Sequence, residues 1–351
     1  SMNYDYYMKK CIELAKRGEG EVSPNPLVGC VILDSNGKVI SEGYHHFCGG
    51  NHAERDALLK LSPQEAIGGT LFVNLEPCSH YGKTPPCADL IIEMGLKQVV
   101  IGMKDVNPIV AGNGIAKLKA AGIEVIEHVL ENECKSLNEI FIKNMTQHKS
   151  FVAIKTATTL DGKTATSTGS SKWITSSLAR EEVQLIRKRY DAILTSSSTI
   201  LADNPTMEHK TKIILDRNLK TDFINSKIYQ NGKIFVFYDK NIQPPSIKNI
   251  EFIATPAIDN KLDIEFILNK TYELGIMSVL VEAGGKLNGA FLEYTDKIYQ
   301  FIAPKIVGDN TAMSCFDYRK VENISDARNF LIKEFKNFPP DILLTLTSNT
   351  Q

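Results

Sequence analysis

Several features are absent from this 351-residue sequence, and each absence excludes a class of protein. No apolar run reaches the roughly 18 residues of a membrane-spanning helix. Lys and Arg total 40 against 41 Asp and Glu, and the net charge of -1 provides no general attraction for DNA or RNA. The first residues lack the basic-then-apolar layout of a signal peptide, and the seven cysteines are an odd number. We therefore expect a cytoplasmic protein with reduced thiols that acts on small molecules, with neither nucleic acid nor membrane as a partner.

Length and pattern predict two α/β domains. A chain of this length has room for about two domains, and 43% apolar with 23% charged residues is ordinary globular usage. Strand patterns alternate with helix patterns as far as a polar stretch at 146–150, after which the alternation restarts. Such alternation is typical of α/β layers with mostly parallel sheets. The predicted domain limits are 1–147 and 148–351.

Hydrophobic periodicity places the elements within each domain. Met8, Cys11 and Ala15 recur at helical spacing behind a predicted N-cap at Asn3, so Cys11 is expected in a core. The other elements predicted in the first half are strands at 27–33, 37–44, 70–77, 97–103 and 123–129 and helices at about 52–61, 87–95, 115–122 and 131–145. In the second half we expect strands at 151–158, 191–196, 212–216, 233–238, 276–283 and 297–303 and helices at 177–190, 262–274 and 286–294.

The stretch EPCSHYGKTPPC (76–87) contains Cys78 and Cys87 at a spacing that suits neither a zinc ribbon nor a disulfide-rich mini-domain. Upstream, NHAERD adds His52 and Glu54. One imidazole and two thiolates leave a fourth zinc position open to water, as in catalytic sites, and H-x-E followed by P-C and a further Cys is typical of zinc-dependent nucleobase deaminases. Zinc lowers the pKa of its bound water to about 7, and a carboxylate beside the metal transfers the protons. We predict that His52, Cys78 and Cys87 bind zinc and that Glu54 is the general acid–base.

Other interpretations of this site remain open from the residues alone. Cys48 lies four residues before His52 and could close the zinc site as a fourth ligand, which would make it structural and the protein a non-catalytic binding protein. A deaminase of nucleic-acid bases would share the chemistry, but it predicts a basic groove and base-stacking aromatics, of which the sequence gives no sign. Residues at i and i+2 do not face each other on a regular helix. His52 and Glu54 must therefore lie at an irregular helix start, for which Asn51 is the expected N-cap.

The first half resembles the cytidine-deaminase superfamily. More narrowly, PCSHYGKTPPC, HAE and NPLVGCVI are similar to the deaminase half of the bifunctional riboflavin-pathway deaminase–reductases, in which the two cysteines are separated by an insertion that contacts the substrate. The resemblance implies a cytidine-deaminase-like three-layer α/β/α domain. It also implies that Asn25, His45, His80 and Lys83 contact the aminopyrimidine or its ribose phosphate. Lys83 stands where many relatives have Arg, which keeps the charge but loses the bidentate fork.

The second half has no G-x-G-x-x-G fingerprint of a dinucleotide-binding domain. An apolar strand nevertheless runs through Glu282 into the turn Gly284-Gly285 and a helix. Glycines at a strand-to-helix turn let a phosphate approach the backbone amides at the helix N-terminus. A tight turn without a ligand would have the same sequence, so this pattern alone leaves both alternatives open.

Three further segments, KTATTLDGKTA, GSSKWIT and TSSSTILADNP, are similar to the reductase half of the same family, so that the resemblance covers nearly the whole chain. It implies a dihydrofolate-reductase-like α/β fold with NADPH as cofactor. The residues implied for NADPH binding are Ala157, Trp173, Thr199, Asp203, Gly284, Gly285, Lys286, Leu287, Asn288, Gly289 and Ala290. Those implied for substrate binding are Ser171, Arg187, Met207 and Glu282. Lys155 and Asp203 are the catalytic candidates, which would position and protonate the sugar as hydride arrives at C1′.

Some of these assignments have a second interpretation. Trp173 is the only tryptophan and could be a core residue, and Arg187 lies in a charged helical segment that could face solvent. In DNPTMEHKTKIIL, Met207 replaces the family's Leu, the loop is shorter, and Lys210 stands near the position of an arginine. The phosphate contact of that arginine is therefore not implied for this chain.

Residues and resemblance together imply a bifunctional enzyme with one Zn²⁺ per deaminase domain, and we expect it to be a homo-oligomer. The first domain would hydrolyse the 2-amino group of 2,5-diamino-6-(5-phosphoribosylamino)pyrimidin-4(3H)-one. The second would reduce the ribosyl side chain with NADPH to give 5-amino-6-(5-phosphoribitylamino)uracil. The chemistry of zinc, water and glutamate follows from the residue types, whereas the substrates follow from the resemblance alone.

Overall fold

The computed structural model describes residues 2–165 and 176–348. The chain forms two compact units, residues 1–148 and 149–351. Segment 166–175, which includes the predicted site residues Ser171 and Trp173, lies outside the described residues. None of the described helices is long and apolar enough to cross a membrane.

The first unit is built on a five-stranded sheet. Its strands are β1 (Gly29–Leu33), β2 (Val39–Tyr44), β3 (Thr70–Leu75), β4 (Gln98–Met103) and β5 (Glu124–Ile126). Its helices are α1 (Tyr4–Lys16), α2 (Ala53–Leu58), α3 (Pro63–Ala66), α4 (Cys87–Glu93), α5 (Asn113–Ala120), α6 (Glu131–Leu137) and α7 (Glu139–Gln147). The strand order is β2-β1-β3-β4-β5, with β1 antiparallel to both neighbours and β3, β4 and β5 parallel. The segments that follow β3 and β4 therefore meet at one edge of the sheet.

Alternation along the strands gives the first unit three layers. Ile32 of β1 packs on one face of the sheet, against α2, α4 and α5. Leu33 packs on the other face, against α1 and α6. The predicted features of α1 are confirmed: Cys11 is fully buried, and the Asn3 side chain caps the helix by accepting a hydrogen bond from Tyr6 N at 3.1 Å.

The single helix predicted at 131–145 is wrong, because two helices meet at Asn138. The buried Asn138 side chain pairs with both backbone groups of Leu27, accepting from its N–H at 2.8 Å and donating to its carbonyl at 2.9 Å. Asn74 of β3 donates to the same carbonyl at 2.9 Å. Two buried amides thus hold the segment that leads into β1, and periodicity along one helix cannot reveal such a contact.

The second unit is built on a nine-stranded sheet. Its strands are β6 (Phe151–Thr159), β7 (Lys163–Ala165), β8 (Ala192–Ser196), β9 (Thr211–Leu215), β10 (Lys233–Asp239), β11 (Ile250–Thr255), β12 (Ala257–Ile258), β13 (Lys261–Leu262), β14 (Ser278–Val281), β15 (Lys297–Ala303), β16 (Met313–Ser314), β17 (Phe330–Phe338) and β18 (Asp341–Ser348). Its helices are α8 (Ser177–Lys188), α9 (Ser197–Asp203), α10 (Ile264–Glu273) and α11 (Gly285–Phe291). The order is β11-β10-β9-β8-β14-β6-β15-β18-β17, parallel from β11 to β15 and antiparallel in β15-β18-β17; β12 pairs with β13 and β7 with β16.

Side-chain alternation at the centre of this sheet separates its core from its polar residues. Ile154 of β6 and Val281 of β14 pack into the apolar core that includes α10 and α11. Lys155 and Glu282 each follow one residue later. Because successive side chains point to opposite faces, both point toward α8.

The sequence prediction omits β11 and the hairpin β17–β18. β17 lies at the edge of the sheet, where Leu331, Ile332 and Phe335 are all at least half exposed. A strand without one buried face lacks the apolar–polar alternation by which strands are recognised in sequence.

Candidate active sites

The predicted zinc ligands converge in the first unit. Among the residues that the structure describes, His52, Cys78 and Cys87 form the group that could hold a metal ion, with ligand atoms within 4.8 Å of one another. His52 Nδ1 lies 3.7 Å from Cys78 Sγ and 3.5 Å from Cys87 Sγ. Ordinary Zn–N and Zn–S bonds in a tetrahedral site require about 3.6 Å between such atoms. The three side chains therefore fit a zinc ion.

The backbone at the start of α2 explains how His52 and Glu54 can approach the same point. His52 is itself the N-cap, with extended angles of φ -63° and ψ 157°, and Glu54 lies in the first helical turn. The irregular helix start is confirmed. The expected N-cap at Asn51 is wrong, because the Asn51 carbonyl lies outside the helix and accepts a hydrogen bond from His45 Nδ1 at 2.8 Å.

Hydrogen bonds hold the two ends of the insertion between Cys78 and Cys87 together. Cys87 N–H donates to Cys78 Sγ at 3.2 Å, and Ala88 N–H donates to the Cys78 carbonyl at 3.1 Å. A hydrogen bond from the Cys87 thiol lowers the pKa of Cys78, although burial opposes the shift. The shift favours the thiolate, the form in which cysteine binds metals.

Glu54 has the environment of a proton-transfer group. Its side chain is 4% exposed and lies within hydrogen-bond reach of Cys87. Burial raises the pKa of Glu54 to about 7, and the charge of the Cys78 thiolate adds to the shift. A zinc ion at the three ligands would lower this pKa again, because its positive charge favours the carboxylate.

Cys48 lies outside the metal-ligand group. Its side chain is exposed, and its Sγ lies 3.8 Å from Asn25 Nδ2. We expect Cys48→Ser to retain one zinc per chain and the deaminase activity, whereas the matched variant Cys87→Ser loses the metal. Zinc is measured by mass spectrometry and folding by circular dichroism. Loss of zinc and of folded structure in Cys48→Ser would instead identify a closed structural site.

The residues implied for the deaminase substrate fall into two pairs. Asn25 and His45 are in contact, with Asn25 Nδ2 at 3.1 Å from His45 Nε2. His80 and Lys83 are exposed on the insertion between the cysteines. None of these four roles follows from the geometry alone, and they stay predictions at this stage.

Sequence reasoning missed the side chains that fix this insertion. Tyr81 O–H donates to Asp89 Oδ2 at 2.8 Å, and Lys117 of α5 pairs with the same carboxylate. The Lys117 ammonium also lies 5.8 Å from the centre of the Tyr81 ring. Hydrogen bonds from Lys117 and Tyr81 hold the pKa of Asp89 below its ordinary value. The insertion is thereby tied to both α4 and α5.

Glu76 is a second residue that the sequence did not reveal. Its side chain is 7% exposed, and its Oε1 accepts hydrogen bonds at 3.0 Å from the backbone of both Asp105 and Gly112. Oε2 accepts from Ile115 N at 3.2 Å. Glu76 therefore joins the segment after β4 to the segment that carries Cys78. The available sequence signal, a glutamate directly after an apolar strand, is weak.

The second unit has a buried charge cluster. Glu282 is 4% exposed; Lys155 Nζ lies 3.1 Å from its Oε1, and Arg187 Nε lies 2.7 Å from its Oε2. Arg187 Nη2 adds a second hydrogen bond at 2.9 Å. Burial alone would raise the pKa of Glu282, but Lys155 and Arg187 outweigh burial and hold it below its ordinary value. Two cations against one carboxylate leave excess positive charge, which suits a phosphate-bearing substrate.

This cluster decides between the two interpretations of Arg187. Its side chain is 16% exposed and does not face solvent. Asp203 is exposed at the end of α9, and Thr199 is hydrogen-bonded to Ser196 in its first turn. Met207 packs against an apolar cluster with φ of 44°, and Ala157 is half-buried on β6.

Two further side chains hold the loop at 204–210 in place through hydrogen bonds. Lys212 is 1% exposed and donates to two backbone carbonyls, that of Thr206 at 3.2 Å among them. Burial lowers the pKa of Lys212. His209 Nε2 donates to the carbonyl of Arg187 at 3.1 Å. The loop is thereby tied to the helix that carries Arg187.

Most glycines of the segment 284–290 are explained by the chain's own packing. A Cβ on Gly285 would lie 2.0 Å from the Ser314 carbonyl oxygen, and one on Gly289 would lie 2.5 Å from the Tyr318 side chain. These two positions therefore exclude any larger residue. Of the rest of the segment, Lys286 is exposed and Leu287 and Ala290 are half-buried.

Gly284 is different. It is the N-cap of α11, and a Cβ there would have no neighbour within 4 Å, so its backbone is open to a ligand. Nearby, Asn288 is fully buried and donates to the carbonyls of Ala283 and Cys315, while its Oδ1 has no hydrogen-bond donor among the described residues. An open glycine and an unsatisfied amide oxygen in one segment fit the binding of a cofactor.

Asp161 organises the turn after β6 and was also missed. It accepts hydrogen bonds from Thr159 O–H at 2.6 Å, Gly308 N–H at 2.8 Å and Val307 N–H at 3.1 Å. These bonds, that from Thr159 first, lower the pKa of Asp161 from 3.8 to about 2. The turn is thereby joined to the segment after β15.

Asp161→Asn is expected to lower the unfolding midpoint of the second unit at neutral pH. Because the folded-state pKa is depressed, the stabilisation is complete above pH 4 and is lost as the pH falls through about 2. The difference in midpoint between wild type and variant should therefore be constant from pH 5 to 7 and close toward pH 2. Urea titrations followed by far-UV circular dichroism test this, and a difference that is independent of pH contradicts it.

Comparisons with known proteins agree with this division. Residues 1–103 match the family model of the cytidine and deoxycytidylate deaminase zinc-binding region, and residues 150–344 match that of the RibD C-terminal domain. Riboflavin biosynthesis protein RibD of Actinobacillus pleuropneumoniae is 39% identical over 354 residues, which cover 96% of this chain and 93% of that protein. RibD of Escherichia coli strain K12 is 35% identical over 367 residues, which cover 98% and 99%.

Two solved structures are similar over both units. A diaminohydroxyphosphoribosylaminopyrimidine deaminase/5-amino-6-(5-phosphoribosylamino)uracil reductase from Thermotoga maritima has a TM-score of 0.88 and 40% identity, with 98% of each chain covered. Acinetobacter baumannii RibD (form 1) has a TM-score of 0.86 and 33% identity, with 99% of each chain covered. The predicted cytidine-deaminase-like and dihydrofolate-reductase-like folds are thereby confirmed.

Proposed function

The chain belongs to the RibD family of riboflavin biosynthesis proteins, and on that premise we propose which residues carry out its two reactions. It is a bifunctional enzyme, a zinc-dependent deaminase and an NADPH-dependent reductase. The deaminase removes the 2-amino group of 2,5-diamino-6-(5-phosphoribosylamino)pyrimidin-4(3H)-one as ammonia. The reductase converts the ribosyl side chain to ribityl and gives 5-amino-6-(5-phosphoribitylamino)uracil.

The convergence of three metal-ligating side chains beside a buried glutamate is the observation that carries the deaminase assignment. His52, Cys78 and Cys87 would hold zinc, which when bound would supply a water acidic enough to ionise at neutral pH. Glu54 takes the proton of the attacking water and delivers it to the departing amine. Its burial excludes solvent from that proton and favours the transfer.

The substrate of the deaminase is held from two sides of the ligand group. Asn25 faces the aminopyrimidine, and His80 and Lys83 face the ribose phosphate from the insertion. Their exposure on a loop whose base is fixed at the zinc ligands supports this role. Lys83 contributes a point charge to the phosphate.

The reductase reaction is assigned to the charge cluster of the second unit. Lys155 positions and protonates the sugar, and Arg187 with Glu282 orients it. Asp203 lies at the same end of the sheet as the cofactor-binding segment 284–290, because α9 and α11 both follow carboxyl ends of parallel strands. Ala157, Thr199 and this segment would hold NADPH, which would supply the hydride.

An assay of both reactions tests the proposal. Zinc-loaded protein with NADPH and the diaminopyrimidinone ribotide should release ammonia and oxidise NADPH. Ammonia release without NADPH oxidation would contradict the reductase assignment. Reduction is the more demanding half of this assay, because the loop at 204–210 differs from the family pattern. Neither product would contradict both assignments and favour a structural zinc site.

A homo-oligomer in the cytoplasm is part of the proposal. The edge strand β17 carries exposed Leu331, Ile332 and Phe335, which suits association with a second copy. The free thiols of all seven cysteines fit a reducing compartment. Light scattering of the purified protein tests the oligomer, and a monomeric mass at micromolar concentration would contradict it.

A further inference from the structure

The imidazole of His45 has both of its nitrogens bound within the protein. Nδ1 lies 2.8 Å from the Asn51 carbonyl oxygen, which can only accept, so Nδ1 carries the proton. Nε2 lies 3.1 Å from Asn25 Nδ2, which donates, so Nε2 accepts. His45 is 3% exposed, and a ring that donates from Nδ1 and accepts at Nε2 is neutral.

Because both ring nitrogens have partners, His45 has no free hydrogen-bonding group with which to bind a substrate directly. A neutral ring with both nitrogens occupied offers neither charge nor a free hydrogen-bonding group to a phosphate or a pyrimidine. We propose instead that His45 is a positioning residue that turns the carbonyl oxygen of Asn25 toward the substrate. The inference rests on the proposed deaminase function, within which it identifies what reads the aminopyrimidine.

The chemistry follows from the geometry of a carboxamide. Its nitrogen and oxygen lie on opposite sides of the same carbon, so fixing Asn25 Nδ2 against His45 presents Oδ1 on the other side. Asn25 thus offers an acceptor, which suits the N–H groups of an aminopyrimidine and disfavours a ring that presents only acceptors at that point. Without His45 the two ends of the amide could exchange places.

The same imidazole also holds the segment next to the metal ligands. Its bond to Asn51 fixes the residue that directly precedes His52, and the rings of His45 and His52 meet edge to face with centroids 5.8 Å apart. The His45 side chain therefore fixes both the orientation of the Asn25 amide and the position of the predicted zinc ligand His52. Two substitutions separate these contacts.

His45→Asn and His45→Gln form the matched pair. An asparagine at 45 can still donate to the Asn51 carbonyl but cannot reach Asn25, whereas a glutamine can accept from Asn25 but loses Asn51. We expect His45→Asn to raise the KM for the ribotide about tenfold with kcat within about threefold, the loss of roughly one hydrogen bond. His45→Gln should keep KM within about threefold. Equal rises of KM in both variants would overturn the proposal.

A double-mutant cycle with Asn25→Ala gives the sharpest test. If His45 acts through Asn25, adding His45→Asn to Asn25→Ala raises KM no further. Additive effects would mean that His45 contacts the substrate itself. Zinc content and NADPH oxidation on the deaminated substrate establish that each variant is folded.

A spectroscopic readout is independent of activity. In two-bond ¹H–¹⁵N spectra of the labelled zinc-bound protein, His45 should appear as the Nδ1–H tautomer with an unprotonated Nε2. The Nε2–H tautomer would overturn the inference. Failure of the proposed function is seen separately, as absence of ammonia release by the wild type, and leaves this tautomer test intact.

Discussion

Glu54→Gln is expected to lower kcat for ammonia release about a thousandfold while the protein keeps its zinc. The amide has nearly the same shape and occupies the same buried position, but it cannot accept the proton of the attacking water. Zinc content should be unchanged, because His52, Cys78 and Cys87 supply the ligands without Glu54. Steady-state release of ammonia and metal analysis of the same preparation measure both quantities.

Two controls accompany this variant. NADPH oxidation on the already deaminated substrate should match wild type, since Glu54 belongs to the first unit and the reductase residues belong to the second. Glu93→Gln removes a carboxylate that is exposed at the end of α4, the helix that Cys87 begins, and should leave both activities unchanged. If both activities fall together in Glu54→Gln, the assignment of two independent sites is wrong.

Glu282→Gln should damage the second unit in two ways. Lys155 and Arg187 would lose the only acid with which they are paired among the described residues, and breaking such a buried pair costs about 3 kcal/mol of unfolding free energy. The reductase kcat should fall about a hundredfold, because both cations lose the group that sets their positions. Urea unfolding followed by far-UV circular dichroism and NADPH oxidation measure the two effects.

Glu273→Gln is the matched control, because its side chain is 67% exposed and forms only a surface ion pair. It should change unfolding free energy by less than about 0.5 kcal/mol and leave reduction unaltered. Ammonia release should be normal in both variants. A Glu282→Gln protein with wild-type stability and activity would show that the cluster has no role in the reductase.

The group of possible metal ligands could be predicted from the sequence because metal chemistry restricts both residue type and number. A histidine, two cysteines and a nearby glutamate allow few other uses, and the structure brings three of them within one coordination sphere. Most of the longer helices and the central strands were likewise predictable, since each buries one face and repeats its apolar residues accordingly, whereas the short helices α3 and α9 were not predicted.

Supporting residues could not be predicted in the same way. Glu76, Asp161 and Lys212 act through backbone groups of distant segments, and a backbone N–H or carbonyl has no signature in the sequence. Asn138 broke a predicted helix for the same reason, because its partner Leu27 lies 111 residues away. Edge strand β17 was not predicted from the sequence because both of its faces lie at the surface.

The closed base of the insertion between Cys78 and Cys87 has an evolutionary consequence. Two hydrogen bonds, from Cys87 N–H and Ala88 N–H to Cys78, join its ends at a single point of the fold. The positions of the two thiolates therefore do not depend on how many residues lie between them. If His80 and Lys83 contact the substrate as proposed, insertions, deletions and exchanges at 79–86 would change substrate recognition without moving the two metal-ligating cysteines.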